Sequence, residues 1–445
     1  MVEMQSPQTA VTHRQILAVA LPLVLANMAV PLIGLADTYV IGRIGSAAPM
    51  AAVGLGAVAI STLYWLFGFL RMGTVGLTSQ ARGAGDDTEV AALLLRCLII
   101  GVAAGAALIA LQIPLFAATL WLIPAEPGVE ALTHTYMQIR VFSAPAAIAM
   151  YGITGWLIAK ERTRAVMALQ LVLNGTNVVL DFLFVLGFGW GIAGVAWASF
   201  VAEWGTAALG LWMCRQTLWN TTATVWARVQ DMGAIRNMMA VNRDIMIRSV
   251  LLMAGFTSFG FLGGFVGTVA LAANSILIQF VHVTAHAMDG FAFASEIFVG
   301  KAFGAKRRGH VRLAAIRTSL WGAGISFALA LIFGLFGGVI IDFLTTAPNV
   351  RVEARNYLIW MVLGPLLGWP CWMLDGIFIG ATRARDMRNM MVISFLGYVL
   401  ALVISLPLFG NHGLWFSVTF FYVLRGLTLA MRYPALERAG GGGPP

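Results

Sequence analysis

The chain has 445 residues, 60% of them hydrophobic and 11% charged, and a formal net charge of +9. An ordinary soluble domain carries roughly 25% charged residues, so the composition excludes a conventional soluble enzyme and points to a lipid solvent. The basic balance does not read as nucleic-acid binding, because the sequence offers no soluble basic domain to carry it.

Apolar runs of about 20 residues, the length that crosses a bilayer core, recur almost end to end. In chain order they predict twelve transmembrane helices, at 15–41, 48–73, 91–120, 130–158, 165–187, 191–214, 238–263, 267–295, 312–343, 353–380, 389–408 and 412–431. The expected fold class is therefore an all-α polytopic membrane protein. The first dozen residues lack a basic region followed by a short apolar core and a cleavage site, so the first span is expected to be kept as a helix. Residues 439–445, ending in four glycines and two prolines, read as a flexible tail.

Charge placement orients the spans. With a cytoplasmic N-terminus, the loops on that side hold Arg82, Lys160, Arg162, Arg164, Arg215, Arg228, Lys301, Lys306, Arg307, Arg383 and Arg385, among others. The opposite loops hold little beyond Arg43, Arg351 and Arg355. This positive-inside asymmetry predicts both termini in the cytoplasm of a bacterial inner membrane. The cysteines Cys97, Cys214 and Cys371 are too scattered for a disulfide framework or a zinc spacing.

The sequence also repeats. Gly155-Trp-Leu-Ile-Ala-Lys-Glu-Arg162-Thr-Arg164 aligns without gaps on Gly376-Ile-Phe-Ile-Gly-Ala-Thr-Arg383-Ala-Arg385. Gly45-Ser-Ala-Ala-Pro-Met-Ala51-Ala52 aligns on Gly267-Thr-Val-Ala-Leu-Ala272-Ala273 after a one-residue gap. Two six-helix lobes are expected, at 1–214 and 238–438, joined by a cytoplasmic linker at 215–237. In transporters built from such repeats, substrate sites lie near the midplane between the repeats, and one repeat rocks against the other.

Ionisable residues inside spans are costly, roughly 2.5–3.5 kcal/mol each on insertion scales, and are functional candidates by default. Asp37 lies in Ile16–Ile41, a stretch without any other formal charge, and Asp181 lies in Leu169–Leu186, likewise alone. Asn177 precedes Asp181 by one turn and shares its helix face. The bland alternative is that these acids pair with Arg71, Arg96 or Arg140 and only hold helices together.

Several segments carry a family resemblance. Leu35-Ala-Asp37-Thr-Tyr-Val-Ile-Gly42, Leu70-Arg-Met-Gly-Thr-Val-Gly-Leu-Thr-Ser-Gln80, Asn242-Arg-Asp-Ile-Met-Ile-Arg-Ser249 and Asp289-Gly-Phe-Ala-Phe-Ala-Ser-Glu296 resemble the DinF branch of the multidrug and toxic compound extrusion (MATE) family. So do Asp375-Gly-Ile-Phe-Ile-Gly-Ala-Thr-Arg383 and Gly410-Asn-His-Gly-Leu-Trp415, and all occur in family order. The resemblance implies a two-lobed antiporter around a central cavity that expels organic, mostly cationic or amphipathic compounds against an inward flow of protons or sodium. It implies no enzyme activity and no cofactor beyond the coupling ion.

The resemblance also implies a coupling site in the N-terminal lobe. The family's first-helix acid falls on Asp37, its Asn-x-x-x-Asp pair on Asn177 and Asp181, and its sixth-helix hydroxyl, usually Thr, on Ser199. Carboxylates, an amide oxygen and a hydroxyl are hard oxygen donors suited to sodium at Asp37, Asn177 and Asp181. A proton is the alternative, since burial beside a second acid favours the neutral form of a carboxylate.

Pro22 and Pro31 interrupt the helix that carries Asp37 and are read as hinges. In the second half, Gln279, His282, His286, Asp289, Glu296 and Asp375 are polar candidates for gating or a second cation site. His282 and His286 share a helix face, but no third metal ligand joins them in the sequence. Within the seventh span, Ser249–Gly263 lacks the acid that another branch of the family uses there, which favours coupling through the first half. Met28, Met150, Trp156, Met167 and Phe182 are candidates for an adaptable drug cavity. The expected partners are drug-like small molecules and the bilayer, with no nucleic acid, and the expected state is a monomer. A lipid-carrier flippase of the same superfamily is the alternative reading.

Overall fold

The computed structural model describes residues 11–28, 39–40, 42–43, 47–122 and 125–441. Its first helices are α1 (His13–Met28), α2 (Ala47–Trp65), α3 (Phe69–Ala84), α4 (Asp87–Ala110) and α5 (Gln112–Leu122). There follow α6 (Pro127–Arg140), α7 (Ala144–Ala159), α8 (Thr163–Asp181), α9 (Gly191–Trp219) and α10 (Ala223–Val229). The second half holds α11 (Met232–Val266), α12 (Thr268–Gly304), α13 (Arg308–Leu344), α14 (Pro348–Asn356), α15 (Leu358–Gly380), α16 (Ala384–Phe409) and α17 (Asn411–Ala439).

Among the described residues, eleven helical stretches are long and apolar enough to cross a membrane, and each overlaps a predicted span from the second onward. The first predicted span is described as far as Met28; Pro31 and Asp37 lie outside the described residues. The predicted third span is broken between α4 and α5. Pro114 causes the break, because its ring would collide with the carbonyl four residues back, at Ala110, where α4 stops.

The sequence repeat reappears as repeated backbone chemistry. At the end of α7, Glu161 takes φ +60°, its N–H bonds Ile158 O, and the N–H of Arg162 bonds Leu157 O. At the end of α15, Thr382 takes φ +50°, with Thr382 N bonded to Ile379 O and Arg383 N to Phe378 O. These are two copies of one Schellman stop, in which a left-handed residue satisfies the last helical carbonyls. Helices α3 and α12 end in the same way. Gly85 (φ +74°) and Lys306 (φ +54°) hold the left-handed position, followed by bonds from Asp86 N to Ala81 O and from Arg307 N to Ala302 O. Of these four stops only the one at Gly85 uses glycine, the residue for which that conformation carries no steric cost.

The helices form two compact units. One comprises Leu25–Thr78 and Asp87–Met239, the other Met1–Val24, Ser79–Asp86 and Ala240–Pro445. The division therefore falls inside α1, between Val24 and Leu25, just past Pro22.

In the first unit α4 packs on α7, α2 on α6, and α9 on α6, α7 and α8. Its linker helix α10 lies on α4. Arg96 on α4 fastens that helix, since its Nε donates to Val229 O at 3.3 Å and its Nη2 to Arg228 O, the carbonyls at the helix C-terminus. Glu89 completes the arrangement with an oxygen 2.6 Å from Arg96 Nη1.

In the second unit α12 packs on α13 and α15, and α17 on α15 and α16, around a core that includes Phe280, Phe333, Tyr398, Trp415 and Phe421. The Gly410–Trp415 motif has a structural role here. Asn411 and Asn274 exchange amide hydrogen bonds of 2.9 and 2.7 Å, and the indole N–H of Trp415 donates to Asn274 Oδ1 at 2.8 Å. The start of α1 and the end of α3 also belong to this unit. Trp321 donates to His13 Nδ1 at 3.1 Å, and Gln80 Nε2 donates to Gly380 O and Thr382 Oγ1, both at 3.0 Å.

Candidate ion-coupling site

Helix α8 presents a polar stripe. Gln170, Asn174, Asn177 and Asp181 follow one another at steps of four, three and four residues, which places them on one face over about 16 Å at 1.5 Å per residue. Asn174, Asn177 and Asp181 are buried, Asp181 completely, while Leu171 and Val179 on other faces are exposed. A stripe of this kind inside an apolar helix faces protein rather than lipid. Gln170 Nε2 donates to Asn174 Oδ1 at 3.1 Å, and Asn177 Nδ2 donates to Ser199 Oγ on α9 at 3.3 Å.

Asp181 is the last residue of α8, and a π-helical turn, Phe182–Gly187, follows it directly. The extra residue per turn breaks the α-register and is a feature frequent at functional sites. Gly189 and Gly191, with φ of +70° and +56°, then reverse the chain into α9, which returns Ser199 to the level of Asn177.

Two of the three arginines that the sequence offered as structural partners, Arg96 and Arg140, pair with other acids. Arg96 pairs with Glu89. Arg140 forms a two-pronged pair with Glu203, Nη1 to Oε2 at 2.8 Å and Nη2 to Oε1 at 2.9 Å, and Nη1 also reaches Ser143 Oγ at 3.1 Å. The hydroxyl of Tyr64 donates to the carbonyl of Arg140 at 2.5 Å and closes this cluster.

The remaining sequence candidates are dispersed. Trp156 is buried, with its indole N–H bonded to Val90 O at 2.9 Å, and Lys160 lies over its ring, so it packs α7 against α4. Met150 lies against Gly210 of α9, Met167 is half-buried, and Met28 and Phe182 are exposed. His286 Nδ1 contacts the carbonyl of His282 at 2.7 Å, and among the described residues no cluster of three metal-capable side chains occurs. In the second unit, Glu296 and Asp375 are buried on α12 and α15, whereas Asp289 is half-buried. Asp375 Oδ2 accepts from two guanidinium groups, Arg425 Nη2 at 2.5 Å and Arg248 Nη2.

Sequence reasoning passed over Gln170, Asn174, Glu203, Arg248 and Arg425. The signal for the charged ones was present: Glu203 is the sole formal charge in Gly191–Cys214, as Arg248 is in Ile245–Val266. A lone charge in such a span is expected to face protein and take an ionic partner, as Glu203 does with Arg140 and Arg248 with Asp375.

Comparison with known proteins agrees with this architecture. Two segments of equal length, 22–183 and 245–406, match the family model MatE. The DNA damage-inducible protein F of Escherichia coli K12 is 39% identical over 418 residues, covering 92% of this chain and 90% of that protein. A probable multidrug resistance protein NorM of Deinococcus radiodurans is 28% identical and covers 97% of both chains. Among solved structures, the MATE transporter VcmN of Vibrio cholerae in its bent form superposes with a TM-score of 0.85 over 96% of this chain and 97% of that one, at 20% identity. A multidrug resistance MATE transporter in an outward-facing conformation gives 0.85 at 17% identity, over 96% and 97% of the two chains. At such identities the likeness is one of fold.

Proposed function

This chain belongs to the MatE family of multidrug efflux transporters, and we propose that it is an antiporter that exports organic, mostly cationic or amphipathic compounds in exchange for inward protons or sodium. The observation that carries the coupling half of this reading is the buried stripe ending in Asn177 and Asp181, with Ser199 bonded across to it. A carboxylate wholly removed from solvent, one helical turn from an amide on the same face, is a fitting place for a coupling cation or proton, because its charge needs a counter-charge there. Asp37 completes the site in this reading, and its position lies outside the described residues.

Antiport requires only that drug and ion favour different conformations. Pro22 supports a moving α1, because it lies where the chain passes from one compact unit to the other. Asp375 is less suited to a second cation site, since two guanidinium groups already use its carboxylate. Asp289 and Glu296 remain candidates for gating. The basic residues of the helix stops at Lys160, Arg162, Lys306, Arg307 and Arg383 support a cytoplasmic placement of those ends, with both termini on the cytoplasmic side of a bacterial inner membrane.

The test is efflux of a fluorescent organic cation from liposomes containing the purified protein, with proton and sodium gradients imposed in turn. Gradient-driven efflux supports antiport. No efflux under either gradient, together with lipid movement between leaflets, would replace it with the flippase reading.

A further inference from the structure

The second unit contains a buried charge imbalance that drug–ion exchange does not use. Arg248 on α11 and Arg425 on α17 are 6% and 3% exposed, and among the described residues each forms its ion pairs with Asp375 alone. Both Nη2 atoms converge on the same oxygen, Oδ2, so the two guanidinium groups are held close together. One carboxylate against two guanidinium groups leaves one positive charge over, inside membrane-crossing helices where an unbalanced charge is strongly disfavoured.

Among the described residues no second acid pairs with either guanidinium group. Asp244, one turn before Arg248, is already shared by Arg388 at 2.7 Å and Arg243 at 3.2 Å. Donors also remain unused. The Nε atoms of Arg248 and Arg425 are buried without a hydrogen-bond partner among the described residues, and so is the hydroxyl of Tyr422, one turn before Arg425. Buried donors left in this state call for an acceptor. Arg425 Cζ lies 5.5 Å from the centroid of the Phe421 ring, and Phe421, Tyr422 and Cys371, one turn before Asp375, are all 3% exposed or less, so only a small guest fits this buried setting.

We infer that Arg248 and Arg425, bridged by Asp375, form a binding site for a small monovalent anion of halide or formate size. The anion neutralises the surplus charge and accepts hydrogen bonds from the unused guanidinium edges, with Asp375 holding the two arginines in place. An acceptor of this kind is compatible with paired guanidinium groups, which present several N–H donors in a fixed plane.

The test follows the melting temperature of the purified full-length protein while chloride replaces gluconate, an anion too large for the enclosure, at constant ionic strength. The wild type is expected to rise saturably with chloride. Arg425→Gln, which restores balance with one arginine, is expected to lose that dependence. Asp375→Asn, which doubles the surplus, is expected to reach half-saturation at several-fold lower chloride. Equal melting of the wild type in both salts overturns the inference, as does an unchanged chloride response in Arg425→Gln. Should either variant fail to fold, anomalous scattering from crystals grown in bromide decides: bromide between the two guanidinium groups supports the site, and its absence there refutes it.

Discussion

Asn177 on α8 donates through Nδ2 to the hydroxyl oxygen of Ser199 on α9, 3.3 Å away, and so ties the polar stripe that ends in Asp181 to the neighbouring helix. The bond uses only the hydroxyl oxygen, which serine and threonine share. Ser199→Thr is therefore expected to keep the ion dependence of transport. Ser199→Ala removes about 1 kcal/mol of hydrogen bonding, and should raise the coupling-ion concentration needed for half-maximal efflux roughly fivefold. Titration of efflux against proton or sodium concentration checks both.

The pair between Arg140 and Glu203 predicts a stability effect separate from transport coupling. Both side chains are largely buried, and their geometry is two-pronged. Breaking one half of such a pair costs about 3–5 kcal/mol, because the partner is left buried and charged. Glu203→Gln should lower the melting temperature markedly. Arg140→Met with Glu203→Leu should recover much of the loss, which the double mutant's melting curve would show.

Much of the architecture was legible in the sequence, since apolar length and charge placement determine which segments cross a bilayer. The Gly155 and Gly376 segments also announced their kinship, and the shared left-handed residue at Glu161 and Thr382 gives that kinship a physical form. Partner choice was not legible. Periodicity tells that Asp375, Arg248 and Arg425 must avoid lipid, but their meeting depends on how α11, α15 and α17 rotate against one another. The break at Ala110 was available in Pro114, though the continuous apolar run hid it. The π turn after Asp181 has no evident sequence signal, because Phe182–Gly187 is as apolar as any α-helical run.

Close helix contact in the second unit gives a prediction about packing. A Cβ on Gly83 would meet the carbonyl oxygen of Lys301 at 2.0 Å, and one on Gly304 would meet that of Gln80 at the same distance. Backbone cannot yield as a flexible side chain can. Gly83→Ala and Gly304→Ala should each destabilise by about 1–3 kcal/mol, the range for overpacking. Gly260→Ala is the control, with open space at its Cβ. It should be neutral or slightly stabilising, as measured by melting temperature.

Pro22 offers a test of motion. Replacing it with alanine restores a backbone donor within α1 and should leave the melting temperature unchanged or higher. If α1 bends there during the transport cycle, Pro22→Ala slows efflux despite the intact fold. Normal rate and coupling in this variant would remove the hinge from the account.

The most direct test of coupling through the first half is gradient-driven efflux of an organic cation from liposomes, comparing the wild type with Asp181→Asn and Asp37→Asn, with melting temperature confirming the fold of each variant. The account predicts that both variants bind the organic cation yet lose the acceleration that a proton or sodium gradient gives the wild type. Wild-type acceleration in folded Asp181→Asn would contradict it.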